Sequence, residues 1–278
     1  MMQSFHEVSR ECSKITTEKY STSFASAIKL LHKELRTPIY NIYGFVRFAD
    51  EIVDTFHGYD KEALLSQFQD ETYAAIKRKI SLNPILNSFQ ETVNDFNIQP
   101  ALIDAFFKSM HLDLDKKKYD ASEYDEYIYG SAEVVGLMCL HVFCGGNKNE
   151  FDKLKPFAQK LGAAFQKVNF LRDLKADTEG LERMYFPGCD FNNFSERQKL
   201  QIEKDIQNDF DESYSGIVQL PVKARFGVYV AYKYYLSLFK KIQRVQAKKI
   251  KDERIRIPNY GKVIIVAKAG VRSQFNLL

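Results

Sequence analysis

Gln166, Asn169, Asp173 and Asp177 stand at intervals of three, four and four in QKVNFLRDLKADTEGLERMYF. On a helix turning about 100° per residue, with Gln166 at zero, the other three fall at roughly 300°, 340° and 20°. The oxygen-bearing side chains share one stripe, while Val168, Phe170, Leu171 and Leu174 lie elsewhere around the helix. The segment YGFVRFADEIVD repeats the pattern. With Tyr43 at zero, Arg47 falls at roughly 40°, Asp50 at roughly 340° and Asp54 at roughly 20°. Like charges one turn apart destabilise an isolated helix, and a cation between them reverses that cost. Mg²⁺ takes oxygen ligands, usually one or two carboxylates, and completes its shell with water and substrate phosphates. Gln166 and Asn169 extend the second site without adding charge, and Mn²⁺ is the alternative ion. Arg47 and Arg172 offer planar forks for phosphate oxygens. A single DxxxD is common on solvated helices. Two of them, each beside an arginine on a helix rich in apolar residues, suggest a diphosphate held by metal ions. A solvated face remains the alternative on spacing alone.

These residues need rigid helices to hold them. Apolar residues recur every three or four positions in YSTSFASAIKLLHKEL, PIYNIYGFVRFADEIVDTF, SEYDEYIYGSAEVVGLMCLHVF, KLKPFAQKLGAAFQKVNFLRDL and VKARFGVYVAYKYYLSLFKKIQRVQAKKI, among others. The prolines mostly punctuate such segments. VIIVA near the C-terminus is the main strand candidate. No Gly/Ser-rich linker interrupts the chain, so residues 1–278 read as one all-α domain. A polar stripe on a central helix of such a bundle would line a cavity.

Composition narrows the classes. Hydrophobic residues make up 45%, enough for a sizeable core. No apolar run approaches the length of a membrane span, and the polar start MMQSFHEVSRECSKITTEKY lacks a signal-peptide centre. The expected location is cytoplasmic. Cys12, Cys139, Cys144 and Cys189 have no CxxC spacing and read as free thiols. The 40 basic and 36 acidic residues are too balanced to argue for nucleic acid. The basic excess sits in KKIQRVQAKKIKDERIR, from Lys240 to Arg256. It fits a solvated face, an anionic membrane surface or an anionic ligand.

The chain resembles the squalene and phytoene synthase family, the head-to-head prenyl transferases. The resemblance runs from YSTSF through YGFVRFADEIVD and MHLDLDKKKYDASEYDEYIYGSAEVVG to QKVNFLRDLKADTEGLERMYFP, with a weaker match in DERIRIPNYGK. It implies a single isoprenoid-synthase-like helical bundle around a deep central cavity. It places Mg²⁺ on Asp50 and Asp54 at one wall, and on Gln166, Asn169, Asp173 and Asp177 at the other. It sets Ser21, Ser23, Tyr43, Arg47, Arg172 and Arg254 near the substrate diphosphate, with Lys262 a weaker match. Tyr129 is expected to face the cavity as a catalytic group beside the four aspartates. The implied reaction joins two prenyl diphosphates through a cyclopropyl diphosphate.

Two departures stand out. Glu133 in GSAEVVG occupies a place where a small residue is usual, and Glu51 in DEIVD replaces a second adjacent aspartate. Glu51 is therefore a secondary ligand candidate. The YIYGSAEVVG and ERMYFP wording is most similar to bacterial phytoene synthases. These use geranylgeranyl diphosphate in carotenoid biosynthesis without a reductant, so no NADPH is expected. No membrane-anchoring helix is seen at the end of the sequence, although peripheral contact with a membrane surface suits greasy substrates. The alternatives are a dehydrosqualene or squalene synthase using farnesyl diphosphate, and a non-catalytic assembly or prenyl-binding protein of the same fold. ERMYFP argues against a head-to-tail transferase or terpene cyclase. The oligomeric state is left open.

Overall fold

The computed structural model describes residues 2–115, 118–180, 183–190, 193–250 and 255–274. Short-range chemistry marks many helix starts. Ser21 caps α2 (Thr22–Ile28) by accepting from the Phe24 N–H at 3.3 Å. Asp60 does the same for α4 (Lys61–Arg78) at 3.0 Å. Asn83 caps α5 (Pro84–Phe96), whose first residue is a proline. Reciprocal capping boxes, Asp120 with Glu123 and Ser195 with Gln198, open α7 (Ala121–Ile128) and α10 (Glu196–Ile217). The remaining helices are α1 (Met2–Tyr20), α3 (Lys33–Thr55), α6 (Pro100–Asp115), α8 (Val134–Phe143), α9 (Lys148–Gly180), α11 (Val222–Gln243), α12 (Ala247–Ile250) and α13 (Asn259–Gln274). Pro38 and Pro156 lie inside α3 and α9, so not every proline is a boundary.

The VIIVA run is helical, which overturns the strand expectation. A lone strand would leave its backbone groups unpaired, whereas a helix satisfies its own. α13 packs on α11, with Ile265 and Val266 near Val230 and Ala231. Among the described residues the only β-type pairing is an isolated bridge between Lys118 and Met184. The four cysteines are free thiols, as their spacing suggested. No helix among the described residues is long and apolar enough to cross a membrane.

The all-helical domain has two apolar clusters. One is built by α3, α4, α5, α6 and α8, around Phe45, Phe89, Phe106 and Phe107. The other is built largely by α7, α9, α10 and α11, around Phe170, Phe210, Tyr229 and Phe239. A cavity of about 850 Å³ draws its walls from both, including Ile28, Ile42 and Leu140 of the first and Phe170, Ile217 and Leu238 of the second.

Between α7 and α8 the chain forms a π-helical turn, Tyr129–Glu133. Here Gly130 lies against α6 so closely that a Cβ would stand 2.5 Å from the Ala105 carbonyl oxygen. Gly130→Ala should therefore cost about 1–3 kcal/mol through overpacking. Equilibrium denaturation followed by circular dichroism measures this, and wild-type stability would show that α6 can move aside.

Candidate active site

Two aspartate pairs face one cavity from different helices. Asp50 and Asp54 come from the C-terminal half of α3, and Asp173 and Asp177 from the corresponding part of α9. The α9 stripe is intact, since Gln166 and Asn169 also line the cavity. The pairs sense each other electrostatically. Burial raises the Asp177 pKa to about 8, helped by Asp173 and then Asp54. Burial and Asp54 raise Asp50 to about 7.

Arginines offset part of this charge. Arg172 grips Asp173 through both carboxylate oxygens, with Nε at 3.0 Å. Burial opposes the guanidinium charge, but the Asp173 contact outweighs it and raises the Arg172 pKa. Arg47 pairs with Glu51, lies 3.8 Å from Asp50, and sits over the Tyr20 ring at 4.4 Å. Glu51 does not line the cavity; its other oxygen accepts from Thr55 at 2.8 Å. This argues against its place as a secondary metal ligand.

The donor set suits a hard divalent cation. The Asn169 side-chain oxygen is buried without a hydrogen-bond partner, an expensive state for a neutral amide that a cation would relieve. The paired carboxylates carry the same demand. Among the described residues no three His, Cys, Asp or Glu side chains form a ready-made metal cage. A few carboxylates with open positions for diphosphate oxygens match the way Mg²⁺ is usually held.

Ser21, Ser23 and Tyr43 also reach the cavity. Ser21 is committed locally as the α2 cap, while the Tyr43 ring lies 5.7 Å from that of Phe24. Lys262 lines the cavity and donates to Thr22 Oγ1 at 3.0 Å. Arg254 lies outside the described residues.

Tyr129 is not on the cavity wall. The lining positions Tyr127, Ser131, Val135 and Cys139 repeat every four residues, and Tyr129 sits roughly 200° from Tyr127 around the helix. It packs against the first apolar cluster instead. Glu133 also avoids the cavity and accepts from Gln159 Nε2 at 2.7 Å. Cys139 does line it, and burial pushes its thiol up to about 12, leaving a neutral, inert wall group.

Sequence reasoning missed a buried network joining three parts of the chain. Arg183, which follows α9, donates to Asp54 Oδ1 at 2.9 Å and to the Asp113 carbonyl at 2.7 Å. Its side chain is only 7% exposed, so both acceptors are needed to hold it there. Asp113 on α6 accepts from Tyr119 at 3.0 Å and from Tyr127 at 2.6 Å. Burial moves the Asp113 pKa to about 6, even though Arg183 and the tyrosine hydrogen bonds pull it down. Arg183, Asp113, Tyr127 and Tyr185 all line the cavity. They lie in the MHLDLD, EYIYG and ERMYFP tracts, whose resemblance to the family singles out none of these four residues.

Comparison with known proteins identifies the family. The Squalene/phytoene synthase family profile matches residues 17–261, and the chain belongs to that family. A presqualene diphosphate synthase from Rhodopseudomonas palustris is 30% identical over 169 residues, covering 60% of this chain and 58% of that protein. A 15-cis-phytoene synthase from Pantoea ananas is 26% identical over 251 residues, covering 81% and 79%. For some relatives, including the first, the match thus spans little more than half of their length. A solved dehydrosqualene synthase in complex with a ligand superposes with a TM-score of 0.81 at 22% identity, covering 97% of this chain and 98% of its own.

The raised carboxyl groups fix a pH dependence. Their folded-state pKa values of about 7 for Asp50 and about 8 for Asp177 exceed the ordinary 3.8, so the fold binds extra protons between these limits. The stabilisation from these protons is complete below the ordinary value and is lost as pH rises through about 7 to 8. A metal held by these carboxylates would have to displace the same protons. Differential scanning fluorimetry should show a lower Tm for metal-free protein at about pH 8.5 than at about pH 6, and a larger gain from Mg²⁺ with inorganic diphosphate at the higher pH. An equal gain at both values would remove the carboxyl groups from the metal site.

Proposed function

We propose that this protein condenses two molecules of geranylgeranyl diphosphate head to head, forming phytoene in carotenoid biosynthesis. The carrying observation is the pair of aspartate stripes on α3 and α9 facing one cavity whose remaining walls are largely apolar. Family membership supports the reaction class. The choice of a substrate with four isoprene units rests on the resemblance of YIYGSAEVVG and ERMYFP to phytoene synthases.

Asp50, Asp54, Asn169, Gln166, Asp173 and Asp177 would hold Mg²⁺, which would supply the positive charge that makes a diphosphate a competent leaving group. Arg47 and Arg172 bind the same anion with planar donors. Arg183 holds the Asp54 carboxylate in place through its 2.9 Å contact. With the diphosphates at the polar wall, the prenyl chains extend among Ile28, Ile42, Leu140, Phe157 and Leu238.

The first substrate loses diphosphate as its C1–O bond breaks, leaving an allylic cation. The double bond of the second attacks, and loss of one proton closes a cyclopropyl diphosphate. A second C1–O cleavage, rearrangement and loss of another proton give the hydrocarbon. Two diphosphates and two protons leave in total, so no reductant is consumed. The protein must exclude water throughout, which the apolar wall and the unreactive Cys139 thiol favour. The faces of Phe165, Phe170 and Tyr235 offer negative potential to a passing cation.

The testing assay incubates purified protein with Mg²⁺ and no NADPH, in parallel with geranylgeranyl or farnesyl diphosphate. Extracted hydrocarbon is then read by chromatography. Phytoene from the first supports the reading; dehydrosqualene from the second alone shifts it to the shorter substrate. Silence even with NADPH, from folded protein, favours the non-catalytic alternative. Asp50→Asn and Asp173→Asn should each lower turnover by at least about a hundredfold with the fold retained. Near-normal activity in both would remove the site assignment.

Tyr127 and Tyr129 give a sharper comparison. Tyr127→Phe removes a hydroxyl bound to Asp113 within the cavity wall and should lower kcat by about tenfold or more. Tyr129→Phe should change turnover less than about twofold. The reverse ranking, with both variants folded, would restore the sequence expectation.

A further inference from the structure

α13 presents an apolar outer face where water would ordinarily meet polar groups. Its inner side carries Lys262, Ile265, Val266 and buried Ala269. Its outer stripe is Val263, Ile264, Ala267 and Lys268, with Val263 68% and Ile264 48% exposed. A helix apolar on both sides is unusual at a free aqueous surface. Ordinary isolated surface apolar residues need no explanation, but here two large aliphatic side chains and an alanine continue along one stripe.

Charge indicates what covers that stripe. From Lys240 to Leu278 the sequence holds eleven Lys and Arg against two acidic residues, Asp252 and Glu253. Lys240, Lys241, Lys248, Lys249 and Lys268 are exposed. An interfacial helix combines such an apolar stripe with basic surroundings.

The position of α13 supplies the third observation. A small pocket beneath it is lined by Ile265, Val266, Val230 and Ser26. This pocket shares Ser23, Phe24, Tyr234, Tyr235 and Lys262 with the main cavity. The helix therefore lies beside the compartment proposed to handle long prenyl chains.

We propose that α13 docks the protein on an anionic lipid bilayer, with Val263 and Ile264 entering the headgroup–acyl boundary and Lys268 meeting lipid phosphate. Docking sets the seam between α2, α11 and α13 against the lipid, from which prenyl diphosphates arrive and into which hydrocarbon product partitions. The transfer role rests on the proposed prenyl-condensing activity, whereas the docking itself is measured without turnover.

The test is flotation of the full chain with vesicles of phosphatidylcholine alone or with about three-tenths phosphatidylglycerol, over a range of salt. The chain should float with the anionic vesicles and release as salt screens the contact. Val263→Asp/Ile264→Asp should lower bound protein at least about tenfold. Lys268→Glu, on the same exposed stripe, should lower it about fivefold or more, since one basic group near an anionic surface supplies about that factor. Unchanged melting of both variants confirms that α13 still folds onto α11. Absence of salt-sensitive flotation, or wild-type flotation by both variants, overturns the proposal. So does a self-associated wild-type chain that Val263→Asp/Ile264→Asp turns into monomer on size exclusion, because the stripe would then belong to a second copy. Hydrocarbon synthesis is scored separately with detergent-dispersed substrate, so loss of the docking result and loss of the enzymatic reading remain distinct.

Discussion

Carboxylates crowded onto the wall of one cavity are the constraint on which the rest of this structure depends. Burial raises the proton affinity of Asp50, Asp113 and Asp177, and the neighbouring Asp54 carboxylate adds to the rise in each case. Such a group of charges persists only with compensation. Arg172 supplies it to Asp173 from the neighbouring position on α9. Arg183 supplies it to Asp54 and Asp113 from the segment beyond that helix, tying α3 and α6 to the end of α9. The arginine is thus part of the wall as well as its charge balance.

The remaining wall solves the opposite problem, that of keeping hydrogen-bonding groups occupied beside an apolar space. Tyr119 and Tyr127 spend their hydroxyls on Asp113. Their rings join Tyr185 and Phe170 in a stack, with Phe170 and Tyr185 separated by 4.0 Å at an interplanar angle of 8°. Burial keeps the phenols neutral far above ordinary pH. The arrangement shows aromatic surface to the cavity while directing the phenol oxygens into hydrogen bonds.

What was legible in the sequence follows from geometry that a single helix imposes. The stripes of α3 and α9 could be read because residues three and four apart share a face in any α-helix. The all-helical domain followed from the same periodicity. Arg183 and Asp113 were not legible that way, because their meeting depends on how the segment after α9 crosses α6, across 70 residues of sequence. Tyr129 failed for a local reason: Tyr127 and Tyr129 look equivalent in YIYG, but only one can occupy the cavity-facing row. VIIVA failed because a short apolar run has no intrinsic preference strong enough to decide against packing on α11.

The departure at Glu133 shows how the π-helical turn separates motif from cavity. α9 approaches this turn so closely that a Cβ on Gly162 would stand 2.8 Å from the Ala132 carbonyl oxygen. The cavity row then runs through Ser131, Ala132, Val135 and Gly136, leaving Glu133 outside it. Its side chain meets Gln159 on the adjoining part of α9, and burial raises its pKa while that hydrogen bond partly opposes the rise. A carboxylate one residue from the wall therefore adds no anion to the cavity lining. The face that the turn presents decides this, since Ala132 and Gly136 line the cavity while the Glu133 carboxylate is turned to Gln159.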